Sequence, residues 1–234
     1  MFSARRLVLP ALTFVAFSLP ALAADEPTVK LKNGDKIVFL GDSITQGGAG
    51  KSGYITLFRK AVEDHHKDLG IEVVNAGVSG NKVPDLQKRL QKDVLDKKPT
   101  IVVIYIGIND VWHGEKDAAK GTPKDKFEAG LKDIIKQIQD ASAKVILCTP
   151  SVIGEKKPGT NDLDSKLDEF SDVGRAVAKE LKVPLCDLRK AFVDYEKANN
   201  KDDQDKGVLT TDRVHLNEAG NKLVAETILK MFGD

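Results

Sequence analysis

The stretch Lys36-Ile37-Val38-Phe39-Leu40-Gly41-Asp42-Ser43-Ile44-Thr45 decides the fold of this chain. It begins as a short apolar run and passes directly into a polar Gly-Asp-Ser turn. A short run that is apolar at successive positions is typical of a strand buried on both faces of a parallel sheet. The turn that follows lies at the carboxyl end of the strand, where open parallel sheets bind their ligands. The stretch therefore predicts an α/β protein with a functional site near Ser43.

Four further runs rich in Val and Ile have the same character. They cover residues 71–75, 101–106, 144–148 and 184–186. The Gly and Pro residues around them favour strands over short helices. Between the strands, apolar residues recur at helical spacing in five segments, which begin near Tyr54, after Pro84, at Thr122-Pro123, near Leu163 and near Asn217. In these segments we expect Ser52 and Thr122 to act as N-caps. The alternation predicts a three-layer α/β/α sandwich around a five-stranded parallel sheet.

Polar motifs follow the first three predicted strands and recur near the end of the chain. Ser79-Gly80-Asn81 follows the second strand, Gly107-Ile108-Asn109-Asp110 follows the third, and Asp212 precedes His215 outside any strand. Each motif alone consists of ordinary turn formers. Together with Ser43 they supply a nucleophile, two oxyanion donors and a base with its orienting carboxylate.

With Gly41-Asp42-Ser43 as the first block, these motifs resemble, in the same order, the four blocks of the SGNH (GDSL-type) hydrolases. That family is named for a Ser, a Gly, an Asn and a His. The similarity extends from about residue 36 to residue 220. It implies a flavodoxin-like fold, which agrees with the predicted strands, and a serine esterase activity. Members of the family cleave esters that range from acetylated polysaccharides to lysophospholipids and thioesters.

The resemblance implies a role for each block. Ser43 is the nucleophile, and His215 is the base, because a serine hydroxyl attacks poorly until an imidazole accepts its proton. Asp212 folds back within one turn and holds the other ring nitrogen. The oxyanion hole consists of the backbone N–H groups of Ser43 and Gly80 and the side-chain amide of Asn109.

Three polar residues beside these blocks have structural roles in this interpretation. We expect Asp42, Asn75 and Asp110 to brace the loops by accepting or donating local hydrogen bonds. His65 and His66 are adjacent and so do not share a helix face, which argues against a metal site formed by the pair. His113 follows Trp112 in a predicted loop.

Neither a metal nor a cofactor is expected. No cluster of His, Cys and carboxylate residues has metal-ligand spacing, and a serine enzyme cleaves esters without a cofactor. Cys148 and Cys186 each end a predicted strand. Buried free thiols and a disulfide both remain open for this pair.

Three rival interpretations are weaker. The segment Gly47-Gly48-Ala49-Gly50-Lys51-Ser52 suggests a phosphate loop, but the full pattern needs glycine where the chain has Thr45. The G-x-S-x-G motif of ordinary α/β-hydrolases does not occur around Ser43. A carbohydrate-binding protein on a degenerate hydrolase fold would normally have lost a catalytic block, and all four are present.

The first residues predict export. Arg5 and Arg6 precede an uncharged apolar stretch at residues 7–19, and Ala21-Leu22-Ala23 is a small-residue cleavage site. The stretch is shorter than the roughly 20 residues of a membrane-spanning helix, so no stable membrane anchor is expected. We expect a signal peptide at residues 1–23 and a hydrolase domain at residues 24–234, located in the periplasm or outside the cell.

Charge and loop composition indicate the substrate class. The formal net charge is +1, or −1 without Arg5 and Arg6 of the expected signal peptide, and it predicts no attraction to nucleic acid or anionic lipid. The loops at residues 47–53, 113–126 and 155–164 are rich in Gly, Lys, Asp and Glu, which favours a polar rim and a short acyl group. We therefore expect a small-molecule or glycan ester as substrate, most simply an acetylated carbohydrate. Trp112 either stacks on a sugar or packs beneath its own loop.

Overall fold

The central element of the fold is a parallel sheet of five strands in the order β2-β1-β3-β4-β5. The computed structural model describes residues 29–233. The strands are β1 (Lys36–Gly41), β2 (Glu72–Gly77), β3 (Ile101–Tyr105), β4 (Lys144–Cys148) and β5 (Leu185–Cys186). All five predicted strands are confirmed, with small differences at their ends.

Eight α-helices surround the sheet in the described residues. They are α1 (Ser43–Gly47), α2 (Tyr54–His65), α3 (Val83–Asp93), α4 (Ile108–Trp112), α5 (Lys124–Asp140), α6 (Asp164–Glu180), α7 (Leu188–Asn199) and α8 (Glu218–Leu229). Short 3₁₀ turns cover Lys67–Leu69, Leu95–Lys97, Ala118–Lys120 and Lys230–Phe232. Helix α8 packs against α2 and α7, whereas α5 packs against α3 and α6. These two groups cover opposite faces, which confirms the three-layer α/β/α sandwich.

The strand order places a topological switch at the centre of the sheet. The chain goes from β1 outward to β2 and then returns past β1 to β3. Crossovers on either side of such a point leave a crevice at the carboxyl ends of the two central strands. Ser43 begins α1 directly after β1, and Asn109 lies in α4 directly after β3. Both residues therefore face the crevice that the topology creates.

Two predicted N-caps are wrong. Gly53, rather than Ser52, precedes α2. Position 53 has no room for a side chain, because a Cβ atom there would lie only 2.3 Å from the Gly48 carbonyl oxygen. That carbonyl accepts the N–H groups of Ile55 and Thr56 at 3.0 and 3.1 Å and so replaces a side-chain cap.

At the start of α5, the N-cap position belongs to Pro123 rather than Thr122. The backbone N–H of Thr122 instead donates to the Asp110 carbonyl at 2.9 Å.

Helix α7 had no counterpart in the sequence prediction. Its buried face contains Arg189 and Glu196 beside Leu188 and Phe192. Two charged residues on the inner face interrupt the apolar periodicity by which helices are recognised. Helix α8, by contrast, begins after Asn217 as predicted, and the Asn217 side chain accepts the N–H of Gly220 at 3.0 Å.

Cys148 and Cys186 lie opposite each other in register on β4 and β5. Both are buried and free, so no disulfide joins them. None of the helices within residues 29–233 is long and apolar enough to span a membrane. The signal peptide expected at residues 1–23 lies outside the described residues.

Candidate active site

A chain of two hydrogen bonds connects Ser43, His215 and Asp212. The Oγ atom of Ser43 lies 2.9 Å from Nε2 of His215, and Nδ1 of His215 lies 2.8 Å from Oδ2 of Asp212. The His215 side chain is 40% exposed, so a substrate can reach it from solvent. With the proton on Nδ1 donated to Asp212, Nε2 is free to accept the Ser43 proton. This arrangement is the geometry of an activated serine nucleophile.

Asp212 shapes the turn that carries His215. Its Oδ1 atom accepts the backbone N–H of His215 at 2.8 Å and that of Val214 at 3.2 Å. One carboxylate therefore caps the turn and orients the imidazole. Burial alone would raise the pKa of Asp212, but the hydrogen bonds from His215 and Val214 outweigh it and lower the pKa below its ordinary value. Asp212 is consequently ionised at neutral pH.

A buried carboxylate from another loop holds the segment before this turn. Glu155, which follows β4, is fully buried, and its side chain accepts the N–H groups of Val208 at 2.7 Å, Leu209 at 2.8 Å and Thr210. The hydroxyl oxygen of Thr210 in turn accepts the backbone N–H of Arg213 at 3.1 Å. No sequence pattern predicts this brace, because a glutamate in a polar segment is ordinarily solvent-exposed.

The expected polar rim at residues 155–164 is accordingly wrong in part. Asp164, at the other end of this segment, is also buried and forms an ion pair with the buried Arg189 at 2.8 Å. These carboxylates stabilise the fold beneath the loop rather than face a ligand.

The three proposed oxyanion donors lie in the segments that directly follow β1, β2 and β3, which we call the three oxyanion loops. Ser43 is the first residue of α1, so its backbone N–H is not used by a preceding helical turn. Gly80 has a φ of +77°, a conformation that a residue with a Cβ rarely adopts, and a Cβ there would meet nothing within 4 Å. Asn109 is 3% exposed, and its Nδ2 atom donates to the Asn81 carbonyl at 3.0 Å. The second proton on that nitrogen remains available to a ligand.

Asp42, Asn75 and Asp110 have the bracing contacts that the sequence predicted. Asp42 accepts the N–H of Ile44 at 2.9 Å and caps α1. Asn75 donates to the Thr45 carbonyl at 2.8 Å and accepts the N–H of Gly77 at 2.7 Å.

Asp110 accepts the N–H of Val83 at 3.1 Å and so joins the third block to the start of α3. Burial raises the pKa of Asp42 to about 7, and the nearby Asp110 charge adds to the shift. Burial likewise raises the pKa of Asp110 to about 6, against the lowering effect of its hydrogen-bond donors.

Trp112 lies one helical turn after Asn109 and faces the same site. Its ring is 6.4 Å from the His215 ring, centroid to centroid, in an edge-to-face arrangement. It is half-buried and packs against the core. Trp112 therefore packs beneath its loop, as one of the two predicted alternatives has it, and its ring also borders the imidazole of His215.

The cavity beside Ser43 is small. It measures about 90 Å³ and is lined by Ser43, Ile44, Gly47, His215, Leu216 and Asn221. Pockets for drug-sized ligands measure roughly 300–1,000 Å³. A larger cavity of about 480 Å³, lined in part by Asp110 and Lys124, contains neither Ser43 nor His215 in its walls. Among residues 29–233, no group of three or more His, Cys, Asp and Glu side chains is placed to hold a metal ion.

Comparison with known proteins gives a consistent family assignment. The family model described as "GDSL-like Lipase/Acylhydrolase family" matches residues 39–223. An acetylxylan esterase from Geobacillus stearothermophilus is 32% identical over 222 residues, which cover 88% of this chain and 97% of that protein. A crystal structure of this relative superposes with a TM-score of 0.76, at 31% identity over the same shares of the two chains.

A second solved structure supports the same assignment. The acetyl xylan esterase AlAXEase is 42% identical and superposes with a TM-score of 0.79, covering 83% of this chain and 98% of its own. Both relatives match over nearly their whole length, and residues 39–223, which the family model matches, contain every block of the candidate site. The chain belongs to the GDSL-like lipase/acylhydrolase family and is a carboxylic ester hydrolase.

Proposed function

We propose that this protein is a serine esterase that removes acetyl groups from carbohydrate, with Ser43 as nucleophile, His215 as base and Asp212 as its orienting carboxylate. The observation that carries the proposal is the contact of 2.9 Å between Ser43 Oγ and His215 Nε2, backed by Asp212 at 2.8 Å. In this assignment, residues distant in sequence form the arrangement that activates a serine hydroxyl.

The proposed reaction has two halves. Ser43 Oγ attacks the ester carbonyl while its proton passes to Nε2 of His215, and the oxyanion is bound by the N–H groups of Ser43 and Gly80 and by Asn109. The imidazolium then gives that proton to the departing alcohol, which leaves an acyl-enzyme. Water, deprotonated by His215, attacks the acyl-enzyme, and acetate is released as Ser43 recovers its proton.

The Geobacillus relative supports these roles. Structures of the Geobacillus relative include variants described as catalytic mutants, in which a serine, a histidine or an aspartate is replaced by alanine. The aspartate precedes the histidine by three residues, as Asp212 precedes His215.

The acetyl and carbohydrate specificity rests on separate observations. The cavity of about 90 Å³ beside Ser43 accommodates a small acyl group, and a long chain would leave its methylenes in water. Each methylene that remains in water lacks the roughly 0.8 kcal/mol of favourable free energy that its burial would contribute. Both of the relatives described above are esterases of acetylated xylan. We also propose that residues 1–23 direct export, which would bring the enzyme to an extracellular polysaccharide.

Replacement of Ser43 tests the proposal. Ser43→Ala should fold normally and lose nearly all hydrolysis of p-nitrophenyl acetate, and a fluorophosphonate probe should label the native enzyme once and the variant not at all. Ser52→Ala, which changes an exposed serine outside the site, is the matched control and should keep both properties. Labelling that persists in Ser43→Ala would show that another residue is the nucleophile.

An acyl-chain series tests the specificity separately. Acetyl and butyryl esters should be cleaved much faster than decanoyl esters, and acetate should be released from acetylated xylan. Faster cleavage of decanoyl esters or lysophospholipids would contradict the carbohydrate assignment while leaving the nucleophile assignment intact.

A further inference from the structure

Arg89 extends from the middle of α3 toward the loops that carry the proposed oxyanion donors. Its side chain is 15% exposed. Its Nε atom donates to Oδ1 of Asn81 at 2.7 Å, and its Nη2 atom donates to the Gly41 carbonyl at 2.8 Å. The remaining nitrogen, Nη1, donates to Asp93 one turn later on α3 at 3.1 Å. The guanidinium group therefore has a defined partner on each of its three nitrogens.

These partners belong to different blocks of the site. Gly41 is the last residue of β1, two positions before Ser43, and Asn81 follows Gly80 directly. The carbonyl of Asn81 accepts the Nδ2 proton of Asn109 at 3.0 Å, which brings the third block into the same network. One side chain thus connects the loops after β1, β2 and β3.

We propose that Arg89 is a positioning residue that fixes the three oxyanion loops relative to one another. The inference rests on the proposed oxyanion hole. The donors come from three separate loops, so their distances from the developing oxyanion depend on how the loops are held relative to one another. Arg89 bonds Gly41 and Asn81 directly and is linked to Asn109 through the Asn81 carbonyl.

The chemistry of arginine suits this role. Its guanidinium presents donors in a rigid planar fork, so two acceptors bonded to it are held at a fixed separation. A lysine ammonium is a compact group on a flexible stem and imposes no such separation. The Gly41 carbonyl also accepts the N–H of Val78 at 3.1 Å, so the first and second loops meet at the atom that Arg89 contacts.

The test compares Arg89→Met and Arg89→Lys with a matched arginine. Arg59 on α2 also donates to a backbone carbonyl, that of Val73 at 3.2 Å, but Val73 lies at the start of β2, whereas the loop that carries Gly80 follows the end of that strand. For p-nitrophenyl acetate we expect Arg89→Met to lower kcat by about 100-fold with little change in KM, because misplaced donors weaken binding of the transition state only. Arg89→Lys should recover only part of the loss. Arg59→Met should retain kcat, and the melting temperature of each variant shows whether it is folded.

A double-mutant cycle separates positioning from a general structural effect. If Arg89 acts through Asn109, the loss in Arg89→Met/Asn109→Ala should be clearly smaller than the product of the two single losses. The acid limb of the pH profile should be the same in Arg89→Lys as in the native enzyme, because His215 is not in this network.

The outcomes distinguish this inference from the proposed function. A normal kcat in Arg89→Met, with a large loss in Asn109→Ala, would overturn the role of Arg89 alone. Multiplicative losses in the double variant would also overturn it. A normal kcat in Asn109→Ala would instead overturn the oxyanion hole on which the inference rests.

Discussion

His215 Nε2 lies 2.9 Å from Ser43 Oγ although 172 positions separate the two residues in sequence. Ser43 is fixed at the end of a central strand, whereas His215 lies in a turn outside the sheet. The contact therefore depends on how firmly the turn is held. Asp212 holds the turn from within, and Glu155 holds the segment that precedes it. Changes to either residue should be measured in catalysis as well as in stability.

The first prediction concerns pH and Asp212. An imidazolium cannot accept the Ser43 proton, so kcat/KM should fall on the acid side of the pH profile. Asp212 does not produce this fall, because its pKa is lowered. Asp42 and Asp110, whose pKa values burial raises to about 7 and about 6, also titrate on that side, so the fall should persist in Asp42→Asn and in Asp110→Asn. A profile that stays flat toward acid pH would contradict His215 as the base.

Replacement of Asp212 should lower kcat severely, but less than removal of the His215 imidazole does. Asp212→Asn removes the charged acceptor for Nδ1, and we expect kcat to fall by about four orders of magnitude. His215→Ala removes the base itself and should cost about six orders. Equal losses in the two variants would show that the carboxylate is needed for the turn to form, which circular dichroism and the melting temperature would reveal.

The second prediction concerns Asn109. Its amide would meet a charge that develops only as the carbonyl is attacked, so Asn109→Ala should lower kcat by about 100- to 1,000-fold with little change in KM. Asn199→Ala is a control, since Asn199 is an exposed asparagine that donates to the Tyr195 carbonyl within α7. A raised KM with normal kcat in Asn109→Ala would indicate substrate binding instead.

The third prediction concerns the buried carboxyl of Glu196. Its pKa is raised to about 8 by burial and by the charge of Glu155, with a smaller rise from Asp164 and an opposing effect of Arg189. An unfolded glutamate has a pKa of about 4.3. Between these values the folded protein holds a proton that the unfolded chain has released, so the free energy of unfolding falls as the pH rises.

Glu196→Gln should remove this part of the pH dependence and raise stability near pH 8 relative to pH 5. Urea unfolding at both values measures the effect. Asp194→Asn, which changes an exposed carboxylate paired with Lys190 on the same helix, is the control and should leave the pH dependence unchanged. Parallel pH dependence in Glu196→Gln and the native protein would contradict a neutral Glu196.

Sequence patterns predicted the sheet and the four blocks because both depend on local features. Apolar runs mark the strands, and the polar motifs at their ends must converge where parallel strands end. Helix α7 was missed because Arg189 and Glu196 lie on its inner face. Glu155 and Arg89 were missed for a related reason: charged residues are ordinarily exposed, and their buried partners come from loops distant in the sequence. The residues that support the site, unlike its proposed catalytic residues, have no local sequence pattern.

The last prediction concerns Trp112. Its ring lies edge-to-face with His215 and is half-buried, so one part of it remains available to a ligand beside Ser43. Stacking of a sugar on this ring would contribute about 1 kcal/mol or somewhat more. Trp112→Ala should therefore reduce kcat/KM for acetylated xylo-oligosaccharides by about 10-fold beyond its effect on p-nitrophenyl acetate, which has no sugar to stack. Because the same ring also borders the imidazole, both substrates should lose some rate, and the ratio of the two losses is the informative quantity. Trp112→Phe keeps an aromatic face and should restore most of the ratio. Equal losses on both substrates would show that Trp112 supports His215 without contacting the glycan.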